Sequence, residues 1–171
     1  FTANAADSYE SQITFGGQAV LAPPHPLNRD ADALDWVVSV ENADGLEPGD
    51  SVVLGWLITD AFIAEHGMTG TWAAFNGTWQ PFFWRRIDAI DRSSDPHRIA
   101  LDVPLRYPAK VRDGAALRIV EGTLTECGIE SLGLSDAISA TMAWERSQVH
   151  LVDFTEVSDC WIRDVASFPS P

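Results

Sequence analysis

The sequence predicts an all-β protein, and three observations carry that prediction. Short runs rich in Val, Ile, Leu and aromatic residues recur between Pro, Gly, Asn and Asp punctuation. Almost none of these runs repeats its apolar residues at the 3.6-residue period of a helix. One run alternates cleanly, with Ile99, Leu101 and Val103 set against Arg98, Ala100 and Asp102, as a strand with one buried and one wet face does.

Taken in order, Ile13-Thr14-Phe15 before Gly16-Gly17 reads as a first strand. Pro23-Pro24-His25-Pro26 reads as loop, because proline cannot donate to a ladder. Trp36 to Val40 is a strand. Glu47-Pro48-Gly49-Asp50 has the chemistry of a type II turn and leads into a strand over Ser51 to Trp56. The one helix is short, with Asp60 as its expected cap, Phe62 and Ile63 as its apolar edge and Gly67 at its end. Thr71 to Phe75 and Thr78 to Phe83 flank Asn76-Gly77, which predicts a hairpin with a type I′ turn. In that register Trp72 and Trp79 share a face as diagonal neighbours. A second hairpin joins Arg86–Asp91 to Arg98–Val103 through residues 92–97, and Ala115 to Val120 is a further strand.

The texture then changes. Cys127-Gly-Ile129-Glu-Ser-Leu132 and Cys160-Trp-Ile162-Arg-Asp-Val165 share the spacing Cys-x-Ile-x-x-Leu/Val at an offset of 33 residues. The strand Val149 to Phe154 lies between them. Matched short strands separated by turns fit successive coils of a β-solenoid, and they fit an ordinary sandwich as well.

At these residues a family pattern emerges. "GIESLGLSD" and "VHLVDFTEVSDCWIRDVASF" resemble the coils of bacterial right-handed parallel β-helix proteins of the pectin-lyase-like superfamily. "GLEPGDSVVL", "RRIDAID", "RIALDVPLRY" and "GAALRIVEG" resemble the small β-domain that such proteins carry as an insertion between coils. "ITFGGQAVLAP" would be the coil strand just before it. The resemblance implies partial right-handed parallel β-helix coils with an inserted small antiparallel β-barrel or sandwich. Residues 1–35 would be coil strand and loop, residues 36–120 the inserted β-domain, and residues 121–171 further coils. It also implies an extracellular carbohydrate-active protein, secreted, periplasmic or on the cell surface, as part of a polysaccharide lyase or hydrolase. The alternative is a non-catalytic glycan-binding or structural subunit of a larger surface assembly. Its partners would be a polysaccharide and the remainder of its own β-helix or other subunits. The chain opens on Phe1 and reads as a mature or excised segment. In the solenoid reading Cys127 and Cys160 stack in adjacent coils, as buried thiols or as a disulfide.

Composition narrows the partners. There are 25 acidic and 11 basic side chains, for a net charge of −14. That excludes a bulk nucleic-acid binder and adhesion to anionic lipid, and no apolar run is long enough for membrane insertion. Lys110 is the sole lysine, a balance that suits either a high-salt setting or a GC-rich genome. The charge is polarised: residues 85–118 hold eight of the eleven cations against five acids. A polyuronate would meet that segment.

No nucleophile elbow, zincin motif, phosphate loop or EF-hand loop is present. His25, His66, His97 and His150 are scattered without metal spacing. The carbohydrate-binding candidates are Trp72, Trp79 and Trp84, whose indole faces can stack on sugars, with Arg85 and Arg98 beside them; the same tryptophans fit the core of a small domain. Asp153, Glu156 and Asp159 form a weak candidate Ca²⁺ cluster, with Asp164, Arg146 and Arg163 nearby; solvated turns and local Arg–carboxylate pairs are the favoured account of them. No other cofactor is implied. Asn76-Gly77-Thr78 is also a glycosylation sequon, which the turn explains without a glycan.

Overall fold

The computed structural model describes residues 2–3, 11–74, 77–136 and 150–168. In chain order its elements are β1 (Thr2–Ala3), β2 (Ser11–Gly16), β3 (Val20–Leu21), β4 (His25–Pro26), β5 (Val37–Val40) and β6 (Ser51–Leu57). An α-helix, α1 (Asp60–Glu65), precedes β7 (Trp79–Asp91), β8 (His97–Leu101) and β9 (Ala116–Glu121), with a 3-10 turn over Val111–Asp113 before β9. The chain continues with β10 (Leu124–Thr125), β11 (Gly128–Asp136), β12 (His150–Thr155), β13 (Val157–Ser158) and β14 (Trp161–Ser167). The protein is all-β, as its punctuation predicts. Among the described residues no helix is long and apolar enough to cross a membrane.

By contact the chain divides into two compact units, Val20–Glu121 and the flanking stretches Phe1–Ala19 with Gly122–Pro171. Residues 20–35, grouped with the first coil segment on sequence grounds, belong to the central unit, because β3 and β4 both pair with β9.

The central unit is antiparallel, with strands in the order β3-β9-β6-β7-β8-β5 and β4 beside β9. Leu27, directly after β4, bridges to Val40 of β5. The Pro-rich segment is therefore not plain loop: the N–H of Leu27 donates to the Ala115 carbonyl at 2.9 Å, so the ladder continues past the donor that Pro26 lacks. The turn before β6 forms as expected, with Gly49 at φ +97° and the Asp50 N–H on the Glu47 carbonyl at 3.1 Å. So does the hairpin of β7 and β8, which sets Ile90 opposite Ile99 and Asp91 opposite Arg98. Leu46, Val52, Leu54, Ile87, Ile99, Leu101, Leu105 and Leu117 fill one apolar core.

The first expected hairpin is not seen among the described residues. Phe75 and Asn76 lie outside the described residues, and the stretch before them contributes only a bridge between Thr69 and Trp72. Trp79 instead opens β7 and pairs with Leu57 of β6. The β6–β7 ladder shifts register between Leu54 and Gly55, a bulge. A side chain at Gly55 would meet the Gln80 carbonyl at 2.0 Å and the Trp79 ring at 2.6 Å, so only glycine lets the two strands approach here.

The second unit consists of parallel pairs: β1 with β11, β2 with β12, β10 with β13, and β11 with β14. Leu124 lies opposite Val157, Gly128 opposite Trp161 and Leu132 opposite Val165, all at the same 33-residue offset. The turns repeat too. Glu126 and Asp159 share φ +53°, while Ser131 and Asp164 stand at +51° and +50°. Phe15 stacks on Phe154 with ring centroids 4.7 Å apart, the spacing of neighbouring strands. Cys127 and Cys160 are free thiols, each donating at 3.3 Å to the carbonyl two residues earlier.

Thr155 lies opposite Gly16, and Val157 opposite Leu124. Glu156 alone therefore spans in one layer what residues 17–123 span in the other. Its carboxylate accepts the Ala19 N–H at 2.7 Å and its carbonyl the Leu124 N–H at 3.1 Å.

Candidate functional site

The central unit holds an aromatic cleft of about 500 Å³. Its floor comes from β6 and β7, where the rings of Trp56 and Phe82 stack at 4.3 Å. One wall is α1. Thr59, rather than Asp60, caps this helix: its hydroxyl oxygen accepts the Phe62 N–H at 3.0 Å and its proton goes to Asp113 Oδ1 at 2.5 Å. The cap thus fastens the helix to the turn Val111–Asp113, where Asp113 is only 1% exposed.

So fixed, α1 holds Phe62 and, one turn on, His66, which are i and i+4 neighbours. Their rings lie 4.2 Å apart, and Trp72 follows at 6.0 Å from His66. The chain reaches Trp72 by a compact turn in which the Thr71 and Trp72 N–H groups both donate to the Met68 carbonyl at 2.9 Å. Tyr107 and Pro108 complete the lining, together with Ile58.

Charge collects at one rim. The Glu65 carboxylate is bonded by both Lys110 and Arg112, and Arg112 Nε also reaches Asp113 at 3.3 Å. Hydrogen bonds from Lys110 and then Arg112 hold the Glu65 carboxyl below its ordinary range. The same contact raises the Arg112 guanidinium. The Trp56 indole N–H is buried without a partner among the described residues. The cleft therefore offers flat apolar faces, an ionised acceptor and two cationic donors. That is the usual make-up of a small-molecule site, apolar walls with a few fixed polar groups.

Of the five carbohydrate-binding candidates only Trp72 lines this cleft, with 47% of its surface exposed. Trp79 is half-buried, packed near Gly55 with the Arg118 guanidinium 5.5 Å from its ring. Trp84 is exposed further along β7, opposite Val53. Arg85 is a strut: its guanidinium lies over Phe83 and donates to the Trp84 and Pro104 carbonyls at 2.7 and 2.9 Å. Burial lowers its pKa, since desolvation disfavours the charged form. Arg98 lies opposite Ser39 and borders a separate recess. The paired-tryptophan platform is thus replaced by a cluster that joins Trp72 to Trp56, Phe62, His66 and Phe82. The i, i+4 spacing of Phe62 and His66 was the sequence signal for it; the partnership of Trp56 with Phe82 depends on the bulge at Gly55.

The acidic candidates are engaged separately. Asp153 accepts the Thr155 hydroxyl at 2.8 Å, Glu156 accepts the Ala19 N–H, and Asp159 occupies a left-handed turn position. Arg163 pairs with Glu130 at 2.5 Å. Among the described residues no three His, Cys, Asp or Glu side chains stand close enough to share a metal ion; Arg146 lies outside them.

No family model matches the sequence, and no curated protein matches it. Among solved structures, two phage tailspikes align with part of it. The tailspike protein gp49 from Pseudomonas phage LKA1 aligns with TM-score 0.46 and 14% identity over 79% of this chain and 20% of its own. The Gp54 tailspike of Acinetobacter baumannii bacteriophage AP22, solved in complex with A. baumannii capsular saccharide, aligns with TM-score 0.46 and 8% identity over 72% of this chain and 22% of its own. The chain spans about a fifth of the length of either tailspike.

Proposed function

We propose that this chain is a carbohydrate-binding portion of a secreted or surface protein, with the aromatic cleft of the central unit as its glycan contact. One observation carries the reading: Trp56, Phe62, Phe82, Trp72 and Tyr107 line a cleft whose rim holds the Glu65–Lys110–Arg112 cluster. Aromatic faces receive the C–H faces of a pyranose ring, and ionised rim groups exchange hydrogen bonds with its hydroxyls.

The scaffold proposed with it is a right-handed parallel β-helix of the pectin-lyase-like type, interrupted by a small antiparallel barrel. The constant 33-residue offset of the parallel pairs and their matched left-handed turns support the coils. The Leu27–Val40 bridge, which links β4 to the far edge of the central sheet, supports the barrel.

The ion-paired state of Glu65 suits a binding role for this carboxyl and not that of a general acid. A glycosidase needs one carboxyl kept protonated near neutrality to protonate the leaving oxygen. Glu65 is shifted the other way and is tied to two cations. A lyase acting on a polyuronate remains the enzymatic form of the proposal, with its catalytic groups outside this cleft.

The test is a titration of the whole chain with neutral and acidic oligosaccharides, read by tryptophan fluorescence and calorimetry. Trp72→Ala should weaken binding at least about tenfold while leaving the circular dichroism unchanged, because Trp72 is exposed rather than core. Full-strength binding by Trp72→Ala, or no ligand in the panel, would refute the cleft.

A further inference from the structure

A second recess lies on the outer face of the β5–β8 pair and encloses about 260 Å³. Ser39 contributes to its floor. Val38 and Val40 turn into the core, so the side chain between them points the other way, toward its cross-strand partner Arg98. Ser39 is 1% exposed, and its hydroxyl has no hydrogen-bond partner among the described residues. Such groups are rare among buried polar atoms, and each calls for an explanation.

Arg29 closes the recess from the segment after β4, and Ser94, Asp95 and Pro96 close it from the β7–β8 loop. The loop is held in place from its own base: Asp91 accepts the Ser93 N–H at 2.9 Å and its hydroxyl at 2.6 Å, and the Ser94 hydroxyl donates to the Asp91 carbonyl at 3.1 Å. Neither Arg29 nor Arg98 makes an ion pair among the described residues, although the Asp95 carboxylate shares the rim. In a chain with 25 acids and 11 basic groups, two guanidiniums that line one recess without an ion pair stand out. A guanidinium fork matches a planar carboxylate in geometry as well as charge.

We propose that this recess binds the carboxylate of an acidic sugar residue, gripped by Arg29 and Arg98 with the Ser39 hydroxyl as the donor at its base. The proposal rests on the carbohydrate reading of the aromatic cleft and adds a substrate class to it. The cleft takes ring faces without regard to charge; the recess selects residues that carry a carboxylate. The volume admits one pyranose ring with its acid substituent.

The experiment compares sodium galacturonate, galactose, sodium acetate and sodium sulfate on the full chain, with NMR shifts and calorimetry as readouts. Galacturonate should bind and galactose should not shift the Arg98 environment. Arg29→Gln and Arg98→Gln should each weaken galacturonate at least about tenfold, and Ser39→Ala should weaken it a few-fold, while neutral oligosaccharides at Trp72 are unaffected. Both arginines are exposed, so these variants should fold; near-ultraviolet circular dichroism checks that they do. Unchanged galacturonate affinity in both arginine variants overturns the site. Galacturonate no tighter than acetate, with sulfate competing equally, overturns the sugar and leaves a bare anion site. Loss of neutral-sugar binding in Trp72→Ala alongside unaffected galacturonate would separate failure of one site from failure of the other.

Discussion

The two units of this chain solve burial differently. Among the described residues the fully buried apolar side chains lie in the antiparallel unit, with Leu134 the lone exception. In the parallel unit Ile162 of β14 is 55% exposed, and Phe168, directly after that strand, 57%. An antiparallel sheet that curls on itself covers its inner face with its own strands. A stack of parallel layers covers each layer only with the next one, so its outermost layer stays open. The antiparallel unit can therefore be stable by its own core, whereas the parallel unit depends on what is stacked against it.

The sharpest way to break this comparison is a pair of truncations. Leu54→Ala removes a side chain with no exposed surface and should cost about 2–5 kcal/mol. Ile162→Ala, in the open layer, should cost no more than about 0.5–1 kcal/mol. Urea unfolding of the whole chain, followed by Trp fluorescence and by amide exchange, measures both. Equal costs would mean that the open layer is covered in solution.

Next in size is Gly122→Ala. Gly122 has φ +80°, and a Cβ there would meet the Gln18 carbonyl at 2.2 Å. Left-handed strain and the clash together should cost about 2 kcal/mol or more. The loss should fall on the parallel unit, so amide protection at Phe15 and Phe154 should drop while that at Ile99 holds. A uniform loss would show that the two units unfold as one.

Glu65→Gln tests the cleft's ionic rim within the antiparallel unit. Because the folded carboxyl titrates below its ordinary value of 4.5, its ionisation stabilises the fold above that pH. The contribution vanishes as pH falls through the lower folded value. The wild type should melt above the variant at pH 7, and the gap should close on acidification. A gap independent of pH would mean that Glu65 acts through packing alone.

The smallest effect is expected in the parallel turns. Asp164 is exposed at φ +50°, where glycine carries no Cβ penalty. Asp164→Gly should raise stability by up to about 1 kcal/mol, read from the urea midpoint. A loss would mean that its carboxylate holds the turn.

Much of the fold was legible because it rests on local chemistry. The Pro-Gly turn at Glu47–Asp50, the β7–β8 hairpin and the 33-residue repeat all appear in neighbouring residues or in a simple offset. The misread parts depend on contacts distant in sequence. The Asn-Gly pair suggested that Thr71–Phe75 would pair with the strand after it, whereas the partner found for Trp79–Phe83 is β6, more than twenty residues earlier in the chain. Pro26 argued against a strand, yet its neighbour Leu27 supplies the needed donor. The candidate site followed the same rule. Trp72 was legible as an aromatic near others, while its true companions Trp56 and Phe82 meet only because one glycine permits a bulge. Arg98 was legible as a cation, but Ser39 beneath it was not, since burial of a lone serine leaves no trace in sequence.

One feature of the junction reaches beyond this chain. The excursion leaves and re-enters where Val20 pairs with Glu121 and Leu21 with Val120, and where Gln18 donates to the Gly122 carbonyl at 2.9 Å. Its two ends are thus zipped side by side, and the corresponding corner of the next layer is closed by Glu156 alone. Such a joint works like a socket. Because both ends of the excursion meet in one short ladder, a change in its length or content need not shift the register of the flanking strands.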